Sequence, residues 1–80
     1  MNSSKVIVYT QPNCPPCQVV KEFLRHHNIE FEEYDVTKDK DARRRLVHKY
    51  HSYSTPTVVV GETVITGFDL PALEKALKLN

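Results

Sequence analysis

Val6-Ile7-Val8-Tyr9-Thr10-Gln11-Pro12-Asn13-Cys14-Pro15-Pro16-Cys17 decides the architecture. Its first four residues form a short, continuously apolar run, the pattern of a strand covered on both faces, and Thr10 to Asn13 supply the turn formers that end it. From Pro15 onward, Val19, Val20, Phe23, Leu24 and His27 recur every three to four residues, and Asn28 is a terminator behind the His26-His27 pair. The spacing predicts a helix over 15–27. The two cysteines therefore stand at a strand-to-helix corner. Cysteines three positions apart fall on nearly the same side of a first helical turn, close enough to close a small ring without large backbone movement. The pair is expected to cycle between dithiol and disulfide.

Outward from this corner, Ile29 and Phe31 alternate and the phase then slips to Tyr34 and Val36, with Glu30, Glu32, Glu33 and Asp35 between. Such a charged strand over 29–36 suits a sheet edge. Thr37 or Asp39 caps a second helix with a buried stripe of Ala42, Leu46, Val47 and Tyr50, leaving Arg43, Arg44, Arg45 and Lys49 outward and ending near His51. Thr57 to Val60 and Thr63 to Thr66 are β-branched runs joined by Gly61-Glu62, a tight hairpin with glycine first. Gly67-Phe68-Asp69 leads into a last helix carrying Leu70, Leu73 and Leu77, with Asp69 as its N-cap. The order is βαβαββα. A right-handed parallel unit followed by an antiparallel hairpin in the same sheet makes an α/β fold, a four-stranded mixed sheet with helices on both faces.

The 80 residues fit one domain, 1–80. Eleven basic and ten acidic side chains leave a formal charge of +1, with no like-charge block longer than Arg43-Arg44-Arg45, so neither nucleic acid nor a membrane surface is favoured as partner. No apolar run has the length of a spanning helix or a secretory signal. Both cysteines are spent on one local pair, which fits a reducing compartment and a working thiol pair better than a secreted scaffold. A cytoplasmic monomer is the expectation.

Taken together, Tyr9-Thr10-Gln11-Pro12-Asn13-Cys14-Pro15-Pro16-Cys17, Ser54-Thr55-Pro56-Thr57-Val58-Val59-Val60 and Thr66-Gly67-Phe68-Asp69 resemble the glutaredoxin branch of the thioredoxin superfamily. The likeness covers nearly the whole chain, and Lys21-Glu22-Phe23-Leu24 and Asn28-Ile29-Glu30-Phe31 also resemble small bacterial glutaredoxin-like proteins, including NrdH-type redoxins. A lone CxxC is a weak signal. A strand before it, a helix after it, Thr-Pro opening the third strand and Gly-x-Asp after the fourth make chance agreement improbable. The resemblance implies a thioredoxin fold and a thiol–disulfide oxidoreductase acting on protein or glutathione mixed disulfides, with no bound cofactor.

Thiol–disulfide exchange is performed by a thiolate, and an unperturbed cysteine with a pKa of about 8.5 is mostly protonated at neutral pH. Cys14, just before the helix, faces the partial positive charge of unpaired amides, with the Cys17 N–H placed to donate to its sulfur. It is the expected nucleophile. Cys17, inside the first turn and less exposed, suits the resolving role. Pro15 and Pro16 fit that turn because the N–H groups they lack have no helical partner, and they remove donors to the thiolate.

Thr55-Pro56 reads from sequence alone as a trans strand opener, cis forms being only about 5–6% of X–Pro bonds in folded proteins. The resemblance implies the reverse, a cis proline opposite the cysteines with the Thr55 backbone holding substrate as a short extra strand. It also implies glutathione contacts, which this chain keeps in part: Gln11 is neutral where lysine is common, Thr66 and Leu70 replace a glycine and an aspartate, and Gly67 and Asp69 remain. Asp69 has a sufficient role as a helix cap. Thr66-Gly67-Phe68 resembles the Ser-Gly-Phe of NrdH-type redoxins, which are reduced by thioredoxin reductase, so glutathione and thioredoxin reductase stand as alternative electron donors.

An alternative of another class is a module in which the thiolates of two chains hold an iron–sulfur cluster with glutathione. A zinc site of Cys14, Cys17, His48 and His51 has the wrong spacing. His26 and His27 suit a helix C-terminus, and Tyr9, Tyr50 and Tyr53 read as packing residues.

Overall fold

The computed structural model describes residues 5–78. Four strands, β1 (Val6–Thr10), β2 (Glu32–Asp35), β3 (Thr57–Val60) and β4 (Thr63–Thr66), form one sheet in the order β2-β1-β3-β4. β1 pairs parallel with β2 and antiparallel with β3, which pairs antiparallel with β4, giving the mixed sheet expected of the sequence. The helices are α1 (Pro15–His26), α2 (Lys40–Arg44), prolonged by a π-helical turn at Arg45–Lys49, and α3 (Leu70–Leu77).

Alternation along the strands divides the core between the two sheet faces. Val6 and Val8 of β1 join Val58 and Val60 of β3, Ile65 of β4, Val20 and Leu24 of α1, and Leu73 and Leu77 of α3. Tyr9 and Val59 point the other way and join Val36, Ala42 and Leu46. Helices α1 and α3 thus cover one face and α2 the other. All four residues of β3 are buried, as a central strand requires.

β2 is shorter than the expected 29–36. Asn28 adopts φ +58° and the Ile29 N–H caps the Leu24 carbonyl at 2.9 Å, so residues 29 and 31 still belong to the exit from α1. The apparent phase slip is a change of face. Ile29 and Phe31 pack with α1, whereas Tyr34 and Val36 pack with α2. The hairpin turns at Gly61, whose φ of +59° is open to glycine without a Cβ penalty.

Three readings of the sequence are corrected. Arg45 is not outward: it is half-buried, its Nε 3.5 Å from the Tyr9 hydroxyl and its guanidinium 5.1 Å from the centre of the Tyr34 ring. Arg45 stands three residues after buried Ala42 and one before buried Leu46, at the border of the buried stripe; the π turn that it opens is closed by the Tyr50 N–H bonding the Arg45 carbonyl five residues back. Tyr53 does not pack, being 80% exposed, and Val19 is 41% exposed. In α1 the buried stripe is instead Cys17, Val20, Lys21 and Leu24, with a lysine inside it.

Candidate active site

Asn13 adopts φ +58° and turns the chain from the end of β1 into α1, so that Cys14 takes the N-cap position with extended backbone (φ −122°, ψ 91°). A cysteine there accepts from an amide as a serine or aspartate cap does. The Cys17 N–H donates to the Cys14 Sγ over 3.3 Å. The cysteines form a disulfide with their Cα atoms 5.2 Å apart. Cys17 is wholly buried and Cys14 retains 8% exposure, so Cys14 is the sulfur that meets solvent. Pro15 and Pro16 are exposed in the first turn beside it.

Across from the pair, the Thr55-Pro56 peptide is cis, and the Thr55 Oγ1 lies 3.8 Å from the Cys14 Sγ. The segment that presents Thr55 is pinned by buried hydroxyls. Thr57 Oγ1 donates to the Ser54 carbonyl at 2.8 Å and lies 2.8 Å from Ser52 Oγ. Neither Ser52 nor Thr57 stood out in the sequence, because a threonine opening a β-branched strand looks like an ordinary strand residue. Gly67, at φ +76°, donates its N–H to the Pro56 carbonyl at 2.8 Å and so ties the end of β4 to this loop. Phe68 follows, 55% exposed. The Asp69 carboxylate accepts the Ala72 N–H at 3.1 Å, the N-cap of α3 that the sequence predicted.

Gln11 is exposed and shares with Thr55, Arg43 and Tyr53 a groove of about 190 Å³. Larger concavities, about 520 and 560 Å³, flank β2, and neither cysteine lines any of the three. The fold therefore brings Pro15, Pro16, Thr55 and Pro56 around Cys14, with Gln11 in the groove beside Thr55. Gly67 is joined to them through Pro56; Phe68 and Asp69 follow on the strand exit.

One turn along α1 from Cys17 begins a charged group that sequence reasoning passed over. Lys21 Nζ is 2.8 Å from Glu33 Oε2, and the same oxygen accepts from the Thr10 hydroxyl at 2.9 Å. The Lys21 ammonium holds the Glu33 carboxyl below the usual glutamate range; partial burial opposes this and the Thr10 hydroxyl reinforces it. The sequence signal was available, since Lys21 falls in register with Cys17 and Leu24 on the apolar side of α1. Among the described residues no group of three or more His, Cys, Asp or Glu side chains is arranged to hold a metal ion.

The glutaredoxin sequence model matches residues 6–65, from β1 through the cysteine pair to β4. The chain belongs to the glutaredoxin family. It is a thiol–disulfide oxidoreductase with Cys14 and Cys17 as its redox pair. A glutaredoxin of Pseudomonas aeruginosa is 36% identical over 76 residues, covering 94% of this chain and 90% of its own. The glutaredoxin-like protein NrdH of Lactococcus lactis is 26% identical over 70 residues, covering 88% and 96%. Among solved structures, the thioredoxin-like protein BC3987 superposes with a TM-score of 0.88 at 56% identity, covering 90% of this glutaredoxin and 99% of that chain. The thioredoxin fold implied by the sequence is thereby established.

Proposed function

We propose that the chain reduces disulfides of partner proteins by a two-cysteine exchange, with Cys14 attacking and Cys17 resolving. The observation that carries this reading is the Cys17 N–H directed at the Cys14 Sγ from the first turn of α1. An amide donor and the helix N-terminus both favour negative charge at that sulfur, and a thiolate is the attacking species. Cys14 displaces one sulfur of the partner disulfide and forms a mixed disulfide. Cys17 then attacks Cys14, the Cys14–Cys17 bond forms and the partner leaves as a dithiol. Burial of Cys17 keeps it from competing for the incoming disulfide.

Thr55 supplies backbone N–H and C=O groups for an extended partner segment, with Pro15, Pro16, Pro56 and Phe68 as apolar surroundings. The partners are disulfide-containing proteins, and the chain works as a cytoplasmic monomer on its thiols alone. For the electron donor, thioredoxin reductase is favoured over glutathione. Gln11 is neutral where the resemblance puts a lysine, which leaves Arg43 as the one cation lining the groove shared with Thr55, and Thr66-Gly67-Phe68 resembles the Ser-Gly-Phe of NrdH-type redoxins.

The test follows NADPH consumption with a disulfide substrate, comparing glutathione plus glutathione reductase with thioredoxin reductase. Turnover with thioredoxin reductase alone supports the reading. Turnover with glutathione alone reassigns the donor, and full turnover by Cys14→Ser refutes the mechanism.

A further inference from the structure

Lys21 is the only charged side chain that is buried among the described residues, and it lies one turn from Cys17 on the same face of α1. Residues at i and i+4 bring their Cβ atoms to about 5–6 Å of one another. Long helical side chains fold back toward the helix N-terminus, so the Lys21 stem runs toward Cys17. Its ammonium is then fixed by the Glu33 carboxylate, which Thr10 holds from the last position of β1. The cation is therefore held on the buried face of α1, one turn along from the inner cysteine.

We propose that Lys21 is a positioning residue for the resolving step: its buried ammonium lowers the proton affinity of the Cys17 thiol and so raises the fraction of Cys17 ready to attack the mixed disulfide. The inference rests on the assignment of Cys14 as nucleophile and Cys17 as resolving thiol. Glu33 does not cancel the effect. Its side chain is 36% exposed against 11% for Lys21, so water screens the carboxylate more strongly than the ammonium. The other elements on this face present apolar or hydroxyl groups: β1 contributes Val6, Val8 and the Thr10 hydroxyl, β3 contributes Val58 and Val60, and α3 contributes Leu73 and Leu77. Arg25, a turn further along α1, acts on Glu33.

In the step itself, the Cys17 proton passes to water and the Cys17 thiolate attacks the Sγ of Cys14. The Cys14–Cys17 bond forms as the bond from Cys14 to the partner sulfur breaks. Cys17 is oxidised, the partner sulfur is reduced and leaves as a thiolate, and that thiolate takes up a proton from solvent. The lysine supplies field, not a proton.

The experiment mixes fully reduced protein with excess 5,5′-dithiobis(2-nitrobenzoate) under stopped flow from pH 5 to 10. The first thionitrobenzoate released reports attack by Cys14, and the second reports resolution by Cys17. In Lys21→Gln the second phase is expected to slow roughly tenfold at pH 7, with its midpoint moved to higher pH by about one unit. Lys21→Arg keeps the charge and returns the midpoint toward the original. Glu33→Gln, which leaves the cation uncompensated, is expected to move the midpoint the other way, and this arm decides the matter even where Lys21→Gln folds poorly. In a Cys14→Ser background, thiolate absorbance near 240 nm reads Cys17 directly and is expected to shift in the same two directions. An unchanged midpoint in Lys21→Gln, or a shift of the same sign in both neutral variants, overturns the proposal. A first phase that survives Cys14→Ser removes instead the cysteine assignment on which it stands.

Discussion

The Thr57 hydroxyl gives its proton to the Ser54 carbonyl at 2.8 Å and lies the same distance from the Ser52 hydroxyl. Ser52 Oγ also donates to the same Ser54 carbonyl, at 3.4 Å, so the two hydroxyls converge on one acceptor. Both side chains are buried, so the segment that carries Thr55 toward Cys14 is held from inside. Thr57→Val preserves shape but removes the 2.8 Å donor to the Ser54 carbonyl and the 2.8 Å partner of Ser52, leaving the longer Ser52–Ser54 hydrogen bond of 3.4 Å. It is expected to cost about 0.5–1.5 kcal/mol, the net contribution of a hydrogen bond, since the Ser52 hydroxyl and the Ser54 carbonyl keep each other as partners. Thr57→Ser, which keeps the hydroxyl, retains the hydrogen bonds and loses one methyl. Urea unfolding of the two variants separates these effects, and equal midpoints for Thr57→Val and the parent protein count against the clasp. Disulfide reduction is expected to fall in Thr57→Val at temperatures where the protein remains folded.

The physical reasons for what was and was not legible in the sequence are local. A continuous apolar run can be covered only on both faces, and two prolines are tolerated only in a first helical turn; β1 and the start of α1 follow directly. The β2 segment was over-extended because odd and even positions both carry apolar residues there, and each set belongs to a different face. Arg45 was assigned outward with its charged neighbours, although it stands three residues after Ala42 and one before Leu46, beside the buried stripe. Glu33 looks like a solvent-facing charge, and Lys21 is set apart only by its register with Cys17 and Leu24. Their meeting requires α1 to cross β2, a tertiary fact that no local pattern contains. The cis peptide at Pro56 came from the family resemblance, against the prior that sequence alone supplies.

The Glu33 carboxyl is held below its ordinary value of 4.5, chiefly by the Lys21 ammonium. A carboxyl depressed in the folded state contributes stability that is fully present above its unfolded-state pKa and is lost as pH falls through the folded value. The stability difference between the parent protein and Glu33→Gln is therefore expected to be flat from about pH 7 to pH 5, and to shrink below about pH 4.5 as the carboxyl of the parent protonates. Thermal melts across this range check it. A difference that grows on acidification contradicts the pairing.

Asp69 offers a separation of structural and ligand roles. Its carboxylate caps α3 through the Ala72 N–H, so Asp69→Ala is expected to cost about 0.5–2 kcal/mol, whereas Asp69→Asn, which still presents an acceptor, costs much less. Were the carboxylate also a ligand for a substrate ammonium, Asp69→Asn would weaken turnover with glutathione while sparing stability. The cap role alone predicts that activity with thioredoxin reductase is unchanged in Asp69→Asn, and the two donor assays distinguish the cases.

The unequal burial of the two sulfurs makes their variants unequal. Cys14 keeps 8% exposure and receives the Cys17 amide, whereas Cys17 is enclosed under the first turn of α1. Cys14→Ser removes the accessible sulfur and is expected to abolish disulfide reduction, leaving at most a slow background. Cys17→Ser keeps the attack, and also the amide donor, because that donor is backbone. It is expected to accumulate a stable mixed disulfide, visible as one added substrate mass on a non-reducing analysis and released by dithiothreitol. Activity that needs a single thiol, such as removal of glutathione from a small mixed disulfide in the presence of excess glutathione, survives in Cys17→Ser to the extent that glutathione docks at all. Mass spectrometry of both variants after exposure to the same disulfide substrate reads the outcome directly: an adduct on Cys14→Ser and none on Cys17→Ser exchanges the roles of the two cysteines.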